Sequence, residues 1–418
     1  MIDKNQDRWF ENRILKRFLS YVTIDTASDR RSKKSPTTAG QWRLAKKLFR
    51  EIQSLGIEDV ELDENCFLIA SLPPRGQAKG TPVVGFMAHM DTSQDVSGSG
   101  VKPLVHRDYN GRAIRLKDGK ILDPREFPDL KRYRGKTIVT SDGTTLLGAD
   151  DKAGISEIMT AVEYLIKHPE VPHGRIELLF TPDEETGFGM NRFPREKIKS
   201  QFCYTLDGGG EGIVDSECFE AYKIEIDFIG KSIHPGEARG LLVNAVEMAS
   251  SFISMIPKEE SPQATDKRYG YYMPIEIAGN VEKASAAFIV RDFEPAGCRR
   301  RIKALRAIAR AIESTHPTGK VTLSETKQYS NMSRFLKDHR GLLKHLEKAI
   351  RQTGIEPKWN IIRGGTDGAR LSEIGIPTPN IFTGGYNFHS PLEWAGLPSM
   401  SKAAQTVVNL ARIWAVGG

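Results

Sequence analysis

The chain has 418 residues, of which 39% are apolar and 27% charged, with 60 Lys and Arg against 53 Asp and Glu. That length exceeds what one hydrophobic core usually serves, so two domains are expected, and the composition excludes a disordered chain. The net charge of +7 invites a nucleic-acid reading, but the basic residues are scattered apart from short clusters at 30–34 and 299–303. Neither cluster carries the interleaved aromatics of a nucleic-acid platform, so no nucleic acid is expected as partner. The cysteines Cys66, Cys203, Cys218 and Cys298 form no CxxC pair. A thiolate zinc site is therefore not indicated, and so sparse a set suits a reducing compartment. The segment 1–17 is charged and lacks the apolar stretch of a signal peptide, and no apolar run reaches the roughly 20 residues of a membrane span. The expectation is a cytoplasmic protein with no membrane partner.

The segment 10–56 reads as two helices around a polar, basic loop at 26–38. An apolar β-like run at 82–88 stops abruptly at His89-Met90-Asp91. Asp150 and Asp151 open a helix whose apolar positions Ile155, Ile158, Met159, Val162, Leu165 and Ile166 follow helical spacing. Strands are predicted at 175–181, ending before Glu184-Glu185, and at 202–206, ending at Asp207 and three glycines. Strands alternating with helices predict an α/β fold, a mixed and mostly parallel sheet flanked by helices.

The pattern changes near residue 219. Tyr222, Ile224, Ile226 and Phe228 alternate with Lys223, Glu225 and Asp227, which predicts a half-exposed strand. A helix at 243–256, strands at 273–279 and 285–292, a helix at 298–314 and a strand at 320–328 complete a βαββαβ order, the ferredoxin-like split unit. An inserted domain is thus expected at 219–328, between the two parts, 1–218 and 329–418, of the main domain. After it come a helix at 341–353, a strand at 358–362, a short helix within 364–373, a strand at 379–383 and a C-terminal helix from about 400.

Candidate ligands cluster just after the predicted strands: His89 with Asp91, Glu184 with Glu185, Asp207, and His389. Sites in open α/β sheets form outside the carboxyl ends of the strands, where chain-distant residues converge. Imidazoles and carboxylates together suit Zn²⁺ or Mn²⁺. Two His and at least three carboxylates exceed the needs of one tetrahedral ion and suit two metals sharing a carboxylate. Each residue also has an ordinary role. His89 alone reads as a loop residue, Asp150 as a helix N-cap, Glu184-Glu185 as a solvated turn and Asp207 as part of a glycine turn. Asp91 beside His89 shifts the balance, because a ligating imidazole commonly donates its second N–H to a carboxylate or carbonyl. Two consecutive Asp leave one for the helix cap and one for metal.

The motifs His89-Met90-Asp91-Thr92, Gly148-Ala149-Asp150-Asp151-Lys152-Ala153-Gly154 and Thr181-Pro182-Asp183-Glu184-Glu185 resemble the co-catalytic zinc peptidases that include carboxypeptidase G and acetylornithine deacetylase. The segments 204–210, Ile233-His234-Pro235-Gly236, 363–369 and 382–389, together with 17–22 and 40–42, are similar to the peptidase T family of tripeptide aminopeptidases, and the resemblance covers nearly the whole chain. It implies a zinc exopeptidase-like catalytic domain with an inserted lid domain, and two Zn²⁺ per subunit. It also implies removal of the N-terminal residue from short peptides with a free N-terminus. By the same resemblance His89 and Asp207 bind one zinc, Glu185 and His389 the other, and Asp150 bridges them. Asp91 orients His89, Glu184 is the general base, and His234 steadies the tetrahedral intermediate. Arg363 is a candidate fork for the peptide's terminal carboxylate, a structural ion pair being equally open. Arg291 and Asn380 lie in matching segments as further candidates for substrate binding. After His389 the sequence Ser390-Pro391-Leu392 departs from the family's frequent Gly and Lys, and the loop 30–34 is enriched in basic residues. A dipeptidase, carboxypeptidase or N-acyl amino acid deacylase would share the same metal site. An edge strand of the inserted domain offers a route to a homodimer.

Overall fold

The computed structural model describes residues 4–76 and 80–417, so residues 1–3 of the expected main domain and of the charged N-terminal segment, and residue 418, lie outside it. The chain divides into two compact units. The first comprises 1–216, 335–360 and 366–418, and the second 217–334 with 361–365.

Among the described residues the first unit is built on an eight-stranded sheet. Its order is Val60–Leu62, Leu68–Leu72, Ile176–Thr181, Val84–His89, Phe202–Gly208, Asn380–Phe382, Ile213–Cys218 and Lys358–Ile362. The four strands from Ile176–Thr181 to Asn380–Phe382 are parallel, and antiparallel neighbours flank them. Val84–His89 and Ile176–Thr181 are buried at every position. That is why they read as unbroken apolar runs, since helices and further strands leave neither face to water. Register aligns the strand ends. His89 pairs with Thr181, and Met87 pairs with Thr205, two residues short of His89 and Asp207 respectively. The helix Ala149–Lys167 packs on Val84–His89 and Phe202–Gly208 and against the helices Lys4–Val22 and Leu397–Ala415.

A separate four-stranded sheet orders Gly385–Tyr386, Trp394–Gly396, Ile138–Thr140 and Leu104–His106. Its hairpin from Tyr386 to Trp394 carries His389. Tyr386 stacks on Trp394 with ring centroids 4.1 Å apart and planes 8° from parallel, which fixes the hairpin ends.

The second unit shows the βαββαβ order, with strands Glu220–Ile229, Tyr271–Gly279, Lys283–Asp292 and Lys320–Tyr329 and helices Ala245–Ser254 and Pro295–Thr315. The sheet is antiparallel, ordered Tyr271–Gly279, Lys283–Asp292, Glu220–Ile229, Lys320–Tyr329. Ile224, Ile226 and Phe228 lie buried against Met248, Phe252, Ile302 and Leu305 of the helices. The unit also takes in 217–218, 329–334 and 361–365, beyond the expected 219–328. Side chains explain the last two additions. Arg334 pairs with the buried Glu220 at 3.4 Å, and Arg363 is held by backbone oxygens of 265–269.

Candidate metal centre

The parallel strands deliver the ligand candidates to one edge of the first unit. His89 ends its strand with its ring Nδ1 3.0 Å from the Asp91 carbonyl oxygen and 3.4 Å from Asp91 Oδ1. Its Nε2 faces Asp150 Oδ1 at 2.8 Å and Asp207 Oδ1 at 3.6 Å. His389 Nε2 faces the other Asp150 oxygen, Oδ2, at 3.2 Å and Glu185 Oε1 at 2.8 Å. One carboxylate thus spans two imidazoles, each with a second carboxylate beside it. Asp91 also accepts the backbone N–H groups of Glu184 at 2.9 Å and Glu185 at 3.1 Å. It therefore fixes the glutamate turn as well as the His89 ring.

The two adjoining aspartates divide their work. Asp151 accepts the backbone N–H of Gly154 at 3.2 Å through Oδ1 and that of His89 at 3.2 Å through Oδ2. Its oxygens lie near His89 and Asp207 as well, but both already serve backbone donors. Asp150 alone faces both imidazoles. The peptide bond joining the pair is cis.

Charge in this pocket is unbalanced. Burial, then repulsion from Asp207, Asp367 and Glu185, pushes the Glu184 carboxyl well above the usual range, His89 opposing. Burial and the Asp150 charge push Glu185 up to about 7, and burial chiefly raises Asp207. Burial also works against ionisation of Asp150, yet its bonds to His389 and His89 hold it below the usual range. His389 in turn is pushed up to about 11 by its bonds to Asp150 and Glu185. Carboxylates crowded in a buried site exceed the positive charge beside them, and against burial their bonds to His89 and His389 hold protons on both imidazoles, raising each well above the ordinary value. Divalent cations in place of those protons balance the charge, and the donor set of two imidazoles with Asp150, Asp207 and Glu185 fits a pair of them.

Several residues that support the centre were not singled out by sequence reasoning. Glu393, 1% exposed, accepts the backbone N–H groups of Leu147 at 2.7 Å, Gly148 at 2.8 Å and Asp150 at 3.1 Å. Asp367 Oδ2 accepts the Thr181 hydroxyl at 2.6 Å, and burial pushes its carboxyl up to about 7. Lys152, also buried, donates to the Ile24 carbonyl at 2.8 Å. Arg30, on the basic loop, donates through Nε and Nη2 to the Glu185 carbonyl at 3.2 and 3.1 Å. The consecutive acids at 150–151 and the Gly-Gly-Thr-Asp turn were visible signals for Asp367 and the helix start. Nothing in the sequence marks Glu393.

The remaining candidates are placed elsewhere. Asn380 is fully buried and donates to the Thr366 hydroxyl at 3.2 Å, and Thr366 donates to Asp207 Oδ2 at 3.2 Å. Asn380 thus acts on a ligand candidate through one intermediary. Arg363 donates to the carbonyl oxygens of Thr265, Lys267 and Tyr269 and to the Thr265 hydroxyl, between the rings of Phe219 and Tyr271. Of the two readings open for this side chain, a carboxylate fork and an ion pair, neither describes these partners, which are backbone oxygens and a hydroxyl. Arg291 is buried, bonds the carbonyls of Tyr222 and Val290 and the Gln328 side chain, and lies over the Tyr329 ring. His234, in the second unit, precedes the turn Pro235–Glu237, and its Nδ1 accepts the Gly236 N–H at 3.1 Å.

The model of "Peptidase family M20/M25/M40" matches residues 140–413. A Peptidase T from Clostridium perfringens strain 13 is 44% identical over 403 residues, 96% of this chain and 99% of that protein. A Peptidase T from Listeria monocytogenes serotype 4b is 46% identical over 96% of this chain and 98% of its own length. Among solved structures, an aminopeptidase PepT from Bacillus cereus superposes with a TM-score of 0.74 at 24% identity, covering 97% of this chain and 99% of that one. The likeness at that identity speaks for the fold, and the curated relatives speak for more. The chain belongs to peptidase family M20/M25/M40 and, within it, to the peptidase T group of hydrolases.

Proposed function

We propose that the chain is a zinc-dependent aminopeptidase that releases the N-terminal residue of short peptides, tripeptides above all, in the cytoplasm. The observation that carries the metal chemistry is the Asp150 carboxylate facing His89 on one side and His389 on the other. The relatives of 44–46% identity named Peptidase T carry the substrate class. Two zinc ions, when bound by His89, Asp207, Asp150, Glu185 and His389, would supply Lewis acidity toward a water and the scissile carbonyl. Glu184 acts as general base. Its carboxylate takes a proton from the attacking water and passes it to the leaving amine. Asp91 holds the His89 ring and, through its bonds to the Glu184 and Glu185 N–H groups, the base itself. We assign His234 the part of a donor to the tetrahedral oxyanion on the family resemblance alone.

Zinc-loaded protein incubated with Ala-Ala-Ala and with N-acetyl-Ala-Ala-Ala tests this reading. Release of free alanine from the first and none from the second is expected. Cleavage of the blocked peptide at a comparable rate would assign the chain to the deacylases instead. We further propose a homodimer through the edge strand Tyr271–Gly279, which leaves Met273, Ile275 and Ile277 36%, 48% and 53% exposed. Light scattering of the purified chain checks it, and a monomer at micromolar concentration removes it.

A further inference from the structure

The basic loop walls a cavity of about 400 Å³ in the first unit. Arg30, Arg31, Lys33 and Lys34 line one side, and Asp183, Thr186, Phe188 and Arg192 the other. The second wall is the same turn that carries Glu184 and Glu185. The loop is fastened to the segments bearing the catalytic candidates. Ser28 donates its backbone N–H to the Thr92 carbonyl at 3.1 Å, one residue past Asp91, and Thr37 donates its backbone N–H to both Asp183 oxygens at 2.9 and 3.0 Å. Its position beside the centre is therefore set by hydrogen bonds and not by a free-swinging tip.

The charges in the cavity are one-sided. Asp183 is buried and occupied by Thr37 and Gln41, and Asp29 accepts from Arg31. The ammonium groups of Lys33 and Lys34 make no ion pair among the described residues. Phe188, 56% exposed, adds an apolar wall. A cavity with spare cations, an apolar side and a wall built from Asp183 and Thr186, the neighbours of Glu184 and Glu185 in their turn, suits one kind of occupant, a peptide bearing a carboxylate. We propose that this pocket is a subsite for a carboxylate of the peptide, supplied by an acidic side chain or by the C-terminus. The inference rests on the aminopeptidase reading for its substrate, but not for its binding test.

The test compares Ala-Glu-Ala with Ala-Gln-Ala, and Ala-Ala-Ala with its C-terminal amide, on zinc-loaded full-length protein and on the Lys33→Glu/Lys34→Glu variant. The ratio kcat/KM is read on these proteins, and the dissociation constant by titration calorimetry on their Glu184→Gln counterparts, in which turnover is suppressed. Partly exposed ion pairs are worth little each, so the expected preference for the carboxylate over its amide, in one pair or both, is about three- to tenfold, falling with added salt. The double variant should abolish or invert it. If the free-acid peptide outdoes its amide in a way the variant abolishes, while Glu and Gln are equal, the C-terminal carboxylate is the group held. Equal constants within both pairs, or ratios the double variant leaves unchanged, overturn the subsite. Failure to cleave any peptide would count against the aminopeptidase reading, and the binding ratios would still decide the subsite.

Discussion

Glu393 holds Asp150 by its backbone. The Glu393 carboxylate accepts the Asp150 N–H at 3.1 Å while its other oxygen takes those of Leu147 and Gly148. The residue that faces both imidazoles is therefore fixed from a hairpin far along the chain, the same hairpin that carries His389. Glu393→Gln keeps the volume but turns an amide N–H toward backbone donors. Zinc affinity, measured by chelator competition, is expected to fall about 10- to 100-fold, the range seen when partners behind a metal ligand are removed. An unchanged affinity would show that the loop 147–150 holds its shape without the carboxylate.

Glu184→Gln removes the proposed base while leaving the volume and the Asp91 bond to the residue 184 backbone in place. Turnover of Ala-Ala-Ala is expected to fall by about 10²–10⁴. Zinc content by atomic emission should stay at the wild-type value, since the proposed ligands are other residues. Full turnover with Gln at 184 would remove the assignment.

Metal removal should make stability depend on pH with a definite sign. In the metal-free chain burial pushes Glu185, Asp367 and Glu393 each up to about 7 from an ordinary value near 4 to 4.5. Between those values the folded state binds more protons than the unfolded one, so stability falls as pH rises. His389, pushed up to about 11, adds a slope of the same sign above pH 6.5. Melting of chelator-treated protein is expected at progressively lower temperature from pH 5 to pH 8, and the zinc-loaded protein should lose less over that range. Parallel slopes for the two forms would mean that cations do not balance this cluster.

Much of this arrangement is written in local pattern. Strands buried on both faces leave solid apolar runs, so the ends at His89, Thr181 and Asp207 are visible, and with them most ligand candidates. Alternation from Tyr222 to Phe228 marks the half-exposed sheet of the second unit just as plainly. Some strands toward the two ends of the sheet are not visible. Ile213–Cys218 holds Asp215 and Glu217, and Val60–Leu62 is only three residues long, too short for any period to register. Glu393 is hidden for another reason. Its partners are backbone N–H groups 243 to 246 residues away, which no side-chain pattern can announce. Arg363 shows the converse limit, because a guanidinium beside a glycine turn looks the same in sequence whether it grips a ligand or the chain's own carbonyls.

Gly154 gives a prediction in which the sign alone decides. It sits in the helix Ala149–Lys167, where replacing Gly by Ala ordinarily stabilises by roughly 0.5–1 kcal/mol. Here a Cβ would overlap the Leu206 carbonyl oxygen and both Asp151 oxygens. The helix approaches the strand Phe202–Gly208 so closely that only hydrogen fits between them. Gly154→Ala should therefore destabilise, by about 1–3 kcal/mol as overpacking does, read as a lowered denaturant midpoint at unchanged slope. Because Leu206 precedes Asp207 and the displaced oxygens belong to Asp151, zinc affinity should fall with it. A stabilised variant would mean that helix and strand separate without cost, and that the close approach does not set the position of the ligands on either side of it.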